Sequence, residues 1–179
     1  INPYLLSVPG VGEFPSVFSP TAGTGRLEVT ADLIETGFLS LQNIGQAHLT
    51  ARQDLRGNGY FDIAGNLTIT AGQVYPTTAS TFTITAYNNS TVTILSSGGT
   101  PALPLAGGGR LNIFAANITQ GGTLRAPLGT IRLGWDGTGA APKGLVTNAD
   151  APVAQQITLT SGSITAVSVI SHHGSSGAK

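Results

Sequence analysis

Three acidic residues, Glu28, Asp32 and Glu35, form the densest group of carboxylates in the sequence. Two carboxylates that flank a glycosidic bond can hydrolyse it, one as an acid and the other as a base or nucleophile. Enzymes that cleave acidic polysaccharides also bring a basic residue, and often calcium, to the same groove. The alternative is a plain polar surface, because Glu28 lies between apolar Leu27 and Val29 and would face outward from a strand. The sequence favours the polar surface, so we predict a protein without enzymatic activity.

Candidate metal ligands are few and badly spaced. The segment 54–62 begins and ends with Asp and contains two glycines, as calcium loops do, but Arg56 occupies an expected ligand position. His48 has no second His near it, and the adjacent His172 and His173 would point to opposite faces of a strand. The chain has no Cys, which excludes thiolate ligands. We therefore predict no metal site and no cofactor.

Motifs for nucleophilic and phosphate chemistry are also missing from the sequence. Ser175 follows His172 and His173 in a stretch rich in Gly and Ser, and such a stretch cannot hold the fixed geometry that a catalytic triad requires. The segment 137–143 ends in Lys but lacks the spacing and the Ser or Thr of a phosphate-binding loop. The sequence therefore predicts no catalytic residues and no nucleotide chemistry.

One group of residues could contact a sugar. Trp135 is the single Trp of the chain, and Arg125 and Arg132 occupy outward positions of the strands that precede it. An exposed indole beside arginines can stack on a sugar ring. The alternative is that Trp135 packs over a corner of the fold. Trp135, Arg125 and Arg132 are thus the candidate glycan contacts, with the packing role for Trp135 favoured.

The composition excludes several further classes of protein. Charged residues make up 9% of the 179 residues, and eight basic side chains balance eight acidic ones. Nucleic-acid binding through phosphate neutralisation is therefore excluded. The hydrophobic fraction of 40% is far above that of a disordered chain. No apolar run reaches the roughly 18 residues that a membrane span requires, so we predict no membrane insertion.

Any such surface must be positioned by regular elements, and the clearest regularity is a repeated pattern of apolar residues. Leu, Val, Ile and Ala or Ser occur at offsets of 0, 2, 4 and 7 from four starting positions: Leu27, Leu67, Leu111 and Ile157. Steps of two residues are the period of a β-strand with one buried face. Further alternating runs lie between these segments, at 38–41, 47–51, 82–86, 92–94, 124–126 and 131–133.

The identical offsets predict an all-β fold in which the chain winds into stacked coils, a parallel β-helix (β-solenoid) of about seven coils. A β-sandwich also uses short strands and Gly-rich turns, but its strands have no reason to repeat the same offsets. Stacked coils place like residues above one another. We therefore predict two interior columns, with Leu27, Leu67, Leu111 and Ile157 in the first and Ala31, Ala71, Ala115 and Ser161 in the second.

The pattern also divides the chain. Residues 1–25 contain four prolines, which cannot continue a ladder of strands, and are predicted to flank or cap one end. The β-helix domain is predicted to span residues 26–170, with an excursion loop at 136–156. Residues 171–179 are predicted to form a flexible tail.

Three stretches carry a family resemblance. Residues 57–76 end in Gln-Val-Tyr-Pro, and residues 121–134 contain Leu-Arg-Ala-Pro-Leu-Gly-Thr-Ile. Together with residues 156–164, these motifs make the region 26–168 resemble the filamentous-haemagglutinin-like exoproteins of bacteria. The part that it resembles is a domain of uncharacterised role, found toward the C-terminal part of some of these large proteins.

The resemblance implies a right-handed parallel β-helix that is exported by two-partner secretion through an outer-membrane transporter. It implies an extracellular location at the bacterial cell surface, and a role as a stalk or in adhesion and cell–cell contact. We therefore expect an unknown surface receptor or glycan as a partner, together with end-to-end self-association through terminal strands. The alternative is a polysaccharide-binding or polysaccharide-processing β-helix protein.

Overall fold

The computed structural model describes residues 18–145 and 149–169, and these contain twelve β-strands and no helix. The strands are β1 (Gly25–Thr36), β2 (Leu39–Ser40), β3 (Ile44–Gly57), β4 (Gly59–Ile63), β5 (Asn66–Ala71), β6 (Gln73–Pro76), β7 (Thr81–Ser96), β8 (Arg110–Gly121), β9 (Thr123–Arg125), β10 (Thr130–Leu133), β11 (Gln156–Leu159) and β12 (Ile164–Ala166). Thr, Ile, Leu and Val recur throughout them, and β-branched residues favour extended backbone.

The strands pair in parallel and wind the chain into stacked coils with three faces. Face A contains the first halves of β1 and β3, all of β5, the second halves of β7 and β8, and β11. Face B contains the second halves of β1 and β3, with β6, β9 and β12. Face C contains β2, β4, the first halves of β7 and β8, and β10. The prediction of an all-β parallel β-helix is confirmed.

The stack makes about five turns, so the prediction of about seven coils is wrong. Two long segments leave the stack instead of adding turns to it: residues 97–109, and the described residues of 134–155, which are 134–145 and 149–155. At the first of them β6 pairs directly with β9, Val74 against Leu124, although β7 and β8 lie between them in the chain. Pro101 and Pro104 lie in this segment, and proline lacks the N–H that a ladder strand donates.

The core consists of columns of apolar side chains inside the stack. On face A one column follows aligned positions of six strands: Leu27, Ala47, Leu67, Val92, Ile118 and Ile157. Its four middle members are buried, but Leu27 is half-buried and Ile157 is 42% exposed, so the predicted interior position of Ile157 is wrong. The neighbouring column contains a polar residue, because Gln120 is aligned with Ile94. Gln120 is buried and donates to the backbone oxygens of Gly122 (3.1 Å) and Ile164 (3.0 Å), so its amide is satisfied inside the core.

The predicted interior columns are only partly correct. Leu111 does not share the column of Leu27 and Leu67, because it lies on face C between Phe82 and Ile131. The offsets 0, 2 and 4 fall on one strand, and the offset 7 falls beyond the next corner, on the following face. This pattern fits any of the three corners of a coil. The offsets span the corner from face A to face B after Leu27, but the corner from face C to face A after Leu111. Residues at equivalent positions of the sequence repeat therefore do not always stack on one another in the structure.

The second predicted column is wrong for two of its members, Ala115 and Ser161. Ala71 lies on face A, as Ala31 does, but Ala115 is aligned with Ala86 on face C. Ser161 is exposed at the turn between β11 and β12. Ala31 is aligned with Ala51 on the adjacent coil, so small residues do stack at this corner in the first coils.

A column of glycines, Gly23, Gly45 and Gly65, lies at one corner of the first coils. A Cβ atom on Gly65 would contact the backbone oxygen of Gly45, and one on Gly45 would contact that of Gly23. Only glycine permits the backbones to approach this closely. We expect Gly65→Ala to lower the free energy of unfolding by about 2 kcal/mol, as measured by urea denaturation.

The matched control for this substitution is Gly37→Ala. The nearest atom to a Cβ on Gly37 is the backbone oxygen of Asn58, at 3.8 Å, which is ordinary van der Waals contact. We expect Gly37→Ala to change the free energy of unfolding by less than about 0.5 kcal/mol. Equal losses of stability in the two variants would contradict the tight glycine column.

The second excursion reaches face C, where the backbone N–H of Leu145 donates to Asp62. Its described residues form no strand of the stack, and Lys143 and Asp150 pair in an isolated antiparallel bridge. Thr83 and Thr85 point outward from β7 but are buried.

Of the predicted terminal segments, residues 1–17 and the tail 171–179 lie outside the described residues.

Candidate functional site

An open cleft of about 520 Å³ lies on face B, between the strands and the segment 97–109. Residues 99–105 form one side of this face B cleft. The strand side is polar, and the side chains on it include Arg52, Asp54, Arg56 and Tyr75. These side chains face outward because they alternate with the interior residues Leu55 and Val74 along β3 and β6.

Gln73 attaches the segment 97–109 to face B. Its Nε2 donates to Asp54 Oδ1 at 3.0 Å and to the backbone oxygen of Ala102 at 2.9 Å. The side chain is only 1% exposed, and its Oε1 is buried without a hydrogen-bond partner. The Gln73 amide therefore bonds to both sides of the cleft, because Asp54 and Ala102 line opposite sides.

Asp54 and Tyr75 form the polar floor of the cleft. The hydroxyl of Tyr75 donates to Asp54 Oδ2 at 3.0 Å, so each carboxylate oxygen of Asp54 accepts one hydrogen bond. Burial raises the pKa of Tyr75, and the hydrogen bond and negative charge of Asp54 raise it further. The Tyr75 hydroxyl is thus held as a donor toward a fixed carboxylate, and that carboxylate keeps lone pairs for further donors.

Two ion pairs join neighbouring coils next to this floor. Arg52 Nε contacts Asp32 Oδ1 at 2.5 Å, and Arg56 Nη2 contacts Glu35 Oε2 at 2.6 Å. The hydrogen bond from Arg52 lowers the pKa of Asp32, and the hydrogen bond to Glu35 raises the pKa of Arg56. These pairs are exposed, so each contributes little to stability, but they fix where the two guanidinium groups lie.

The acidic cluster of the sequence is therefore divided in the structure. Glu28 pairs with Arg26 on face A, at 2.6 Å, whereas Asp32 and Glu35 pair with arginines of the next coil. Each acid has its own basic partner. The two arginines of the second coil bring basic groups to a groove that also contains a carboxylate, Asp54.

A second polar cluster lies under the excursion 134–155 on face C. Asp62 is fully buried, and its Oδ2 accepts from the backbone N–H of Leu145 at 2.7 Å and from the Tyr87 hydroxyl at 3.4 Å. A Cβ on Gly144 would contact both Tyr87 Oη and Asp62 Oδ2. This glycine therefore lets the excursion reach the carboxylate.

The buried position changes the ionisation of both acidic groups in this cluster. Burial raises the pKa of Asp62 to about 6, although the hydrogen bond from the Leu145 N–H opposes the shift. Burial, followed by the charge of Asp62, also raises the pKa of Tyr87. Asp62 Oδ1 is buried without a hydrogen-bond partner. The cluster is closed to solvent, so it attaches the excursion to face C and offers no open site.

Two of the three candidate sugar contacts lie together. Trp135 and Arg132 line a cavity of about 410 Å³ beside Asp136. The Trp135 ring is half-buried, its Nε1 donates to the backbone oxygen of Thr138 at 2.9 Å, and the Arg132 guanidinium lies 5.4 Å from the centre of the Phe114 ring. Both side chains are thus held by protein groups.

The third candidate contact, Arg125, lies apart from this cavity. It is on β9 of face B, where it is aligned with Ala166 of β12, and its Nε is buried without a hydrogen-bond partner.

Asp136, which lines the cavity of Trp135 and Arg132, is held in a local turn, because the N–H and hydroxyl of Thr138 donate to its Oδ1 at 3.0 and 2.8 Å. The backbone hydrogen bond of Thr138 is the largest cause of the lowered pKa of Asp136.

The remaining residues considered from the sequence are dispersed. Asp54 and Asp62, the ends of the calcium-like segment, lie on faces B and C. His48 is on face A, aligned with Glu28 and Thr68. The described residues contain no group of three or more His, Asp or Glu side chains that could hold a metal ion. His172, His173 and Ser175 lie outside the described residues.

Sequence reasoning missed the face B cleft. Tyr75 on its floor and Gln73, which bonds its two sides, belong to the Gln-Val-Tyr-Pro motif, which carried only a family resemblance. A signal was present: residues 97–109 contain five glycines and two prolines without any alternation of apolar residues, which is typical of a segment that leaves a sheet.

No protein-family model, curated protein or solved structure matches this chain. Across residues 18–145 and 149–169, no helix is long and apolar enough to cross a membrane.

Proposed function

We propose that this chain is a structural and adhesive β-helix module of a secreted bacterial cell-surface exoprotein, without catalytic activity of its own. In this role it acts as a stalk or contributes to adhesion and cell–cell contact. Its partners are an outer-membrane secretion transporter and a surface receptor or glycan. The resemblance of residues 26–168 to the filamentous-haemagglutinin-like exoproteins supports the location and the route of export.

The single observation that carries the proposal is the stacking of parallel strands around continuous interior columns. Each coil donates and accepts backbone hydrogen bonds along the axis of the stack, which gives stiffness without a separate scaffold. The two excursions, 97–109 and 134–155, lie on the outside of this stack. Excursion loops on a rigid framework are where recognition surfaces usually occur.

The test is an adhesion assay with beads that carry the purified 179-residue chain. We expect coated beads to attach to cultured epithelial cells or to bacterial cells several times more often than albumin-coated beads. An excess of the soluble chain should return attachment to the albumin level. Attachment equal to that of albumin-coated beads on both cell types would contradict the adhesive function.

A second candidate function, a polysaccharide-binding or polysaccharide-processing protein, is favoured by one observation. Asp54 lies in a groove with Arg52 and Arg56, the combination of carboxylate and basic residues that polysaccharide cleavage would need. The distinguishing measurement is the release of reducing ends from polygalacturonate and from neutral polysaccharides. Release that Asp54→Asn abolishes would establish the processing function and contradict a non-catalytic module.

A further inference from the structure

We propose that the face B cleft binds a neutral saccharide, held by Asp54 and Arg52 on the strand side and by the segment 99–105 on the other. The inference rests on the proposed adhesive function and assigns that function a site and a class of ligand. It concerns a different surface from the cavity beside Trp135. The volume of the face B cleft, about 520 Å³, is within the usual range for small-molecule sites.

The strand side offers both acceptors and donors within a short stretch of β3. Asp54 accepts one hydrogen bond at each oxygen, and a carboxylate has lone pairs for two more donors. Arg52 contacts Asp32 through Nε, so its two Nη groups lie outside that ion pair. Sugar hydroxyls both donate and accept, so neighbouring hydroxyls can donate to Asp54 while accepting from Arg52.

The charge of the cleft favours a neutral ligand over an acidic one. Two cations, Arg52 and Arg56, lie close to three carboxylates, those of Asp32, Glu35 and Asp54. Each arginine already has an anionic partner, and the remaining negative charge is on the floor, at Asp54. An acidic sugar would add negative charge to a group in which three carboxylates already outnumber two arginines, whereas a neutral sugar would add none.

The opposite side supplies an apolar surface. Pro101, Leu103 and Pro104 line the cleft there, and Leu105 is fully exposed at its rim. The C–H faces of a sugar ring can pack on such a surface while its hydroxyls meet the polar strand side. The Gln73 amide holds the two sides together, so the cleft is formed before any ligand arrives, which lowers the entropic cost of binding.

The test is isothermal titration of the full chain with four neutral oligosaccharides: cellohexaose, maltohexaose, mannohexaose and chitohexaose. We expect at least one to bind with a Kd of about 1 mM or tighter. Arg52→Ala and Asp54→Asn should each weaken that binding about tenfold or more. Arg52 is exposed, so its variant should fold as the wild type does, as judged by circular dichroism and thermal midpoint.

Two matched controls separate this site from others. Arg110→Ala removes an exposed arginine outside the cleft, and Trp135→Ala alters the second cavity; both should leave the affinity unchanged. The proposal is overturned if none of the four oligosaccharides binds, if polygalacturonate binds in preference, or if binding survives both cleft variants. Cell attachment of coated beads without saccharide binding would reject this site and retain the adhesive function.

Discussion

Leu111→Ala is expected to lower the free energy of unfolding by about 3 kcal/mol, whereas Ile157→Ala is expected to lower it by about 1 kcal/mol. These two residues occupy equivalent positions of the repeat in the sequence. In the structure Leu111 is fully buried on face C, while the Ile157 side chain is 42% exposed. Truncation of Leu111 leaves a cavity between Phe82 and Ile131, which flank it on adjacent coils, and cavities add to the cost of lost burial.

Urea denaturation of the two variants and the wild type, followed by circular dichroism at one temperature, measures this difference. Leu105→Ala is the control for the loss of a large apolar side chain at a fully exposed position, and it should change stability by less than about 0.5 kcal/mol. If Leu111 and Ile157 proved equally costly to truncate, the difference in burial between the two positions would be contradicted.

The strands themselves could be predicted from the sequence because their apolar residues alternate. The runs at 47–51 and 82–86 lie within β3 and β7, and those at 124–126 and 131–133 match β9 and β10 to within a residue at each end. Parallel stacking also followed from the sequence, because the same apolar offsets recur from four starting positions. Local pattern was sufficient for both conclusions.

The register between coils could not be predicted in the same way. It depends on how many residues each corner and excursion uses, and apolar offsets carry no information on that number. Leu27 and Leu67 are two coils apart, with Ala47 between them. Leu111 reaches a different face because residues 97–109 leave the ladder, and this departure also lets Val74 pair with Leu124.

The candidate sites were predictable to an even smaller extent, because they form between segments far apart in the chain. Asp62 and the N–H of Leu145 are separated by 83 residues, and Gln73 and Ala102 by 29 residues. Spacing within one motif cannot show such contacts. Trp135 and Arg132 are close in sequence, and they do lie at one cavity.

The stability of the chain should depend on pH through Asp62. The pKa of this carboxyl is raised by burial from its ordinary value of 3.8 to about 6, so the folded state favours the protonated form. Its contribution is therefore fully present below pH 3.8 and is lost as the pH rises through 6. A rise of about two pKa units corresponds to about 3 kcal/mol.

Asp62→Asn is the matched variant, because an amide at this position cannot titrate but keeps an acceptor for the Leu145 N–H. We expect the free energy of unfolding of the wild type, relative to Asp62→Asn, to fall by about 3 kcal/mol between pH 3.8 and pH 7.5. Urea denaturation of both proteins at half-unit steps of pH measures the difference and cancels the titration of all other groups. Parallel curves across this range would mean that the Asp62 carboxyl titrates alike in the folded and unfolded chains, and that the excursion 134–155 does not bury it.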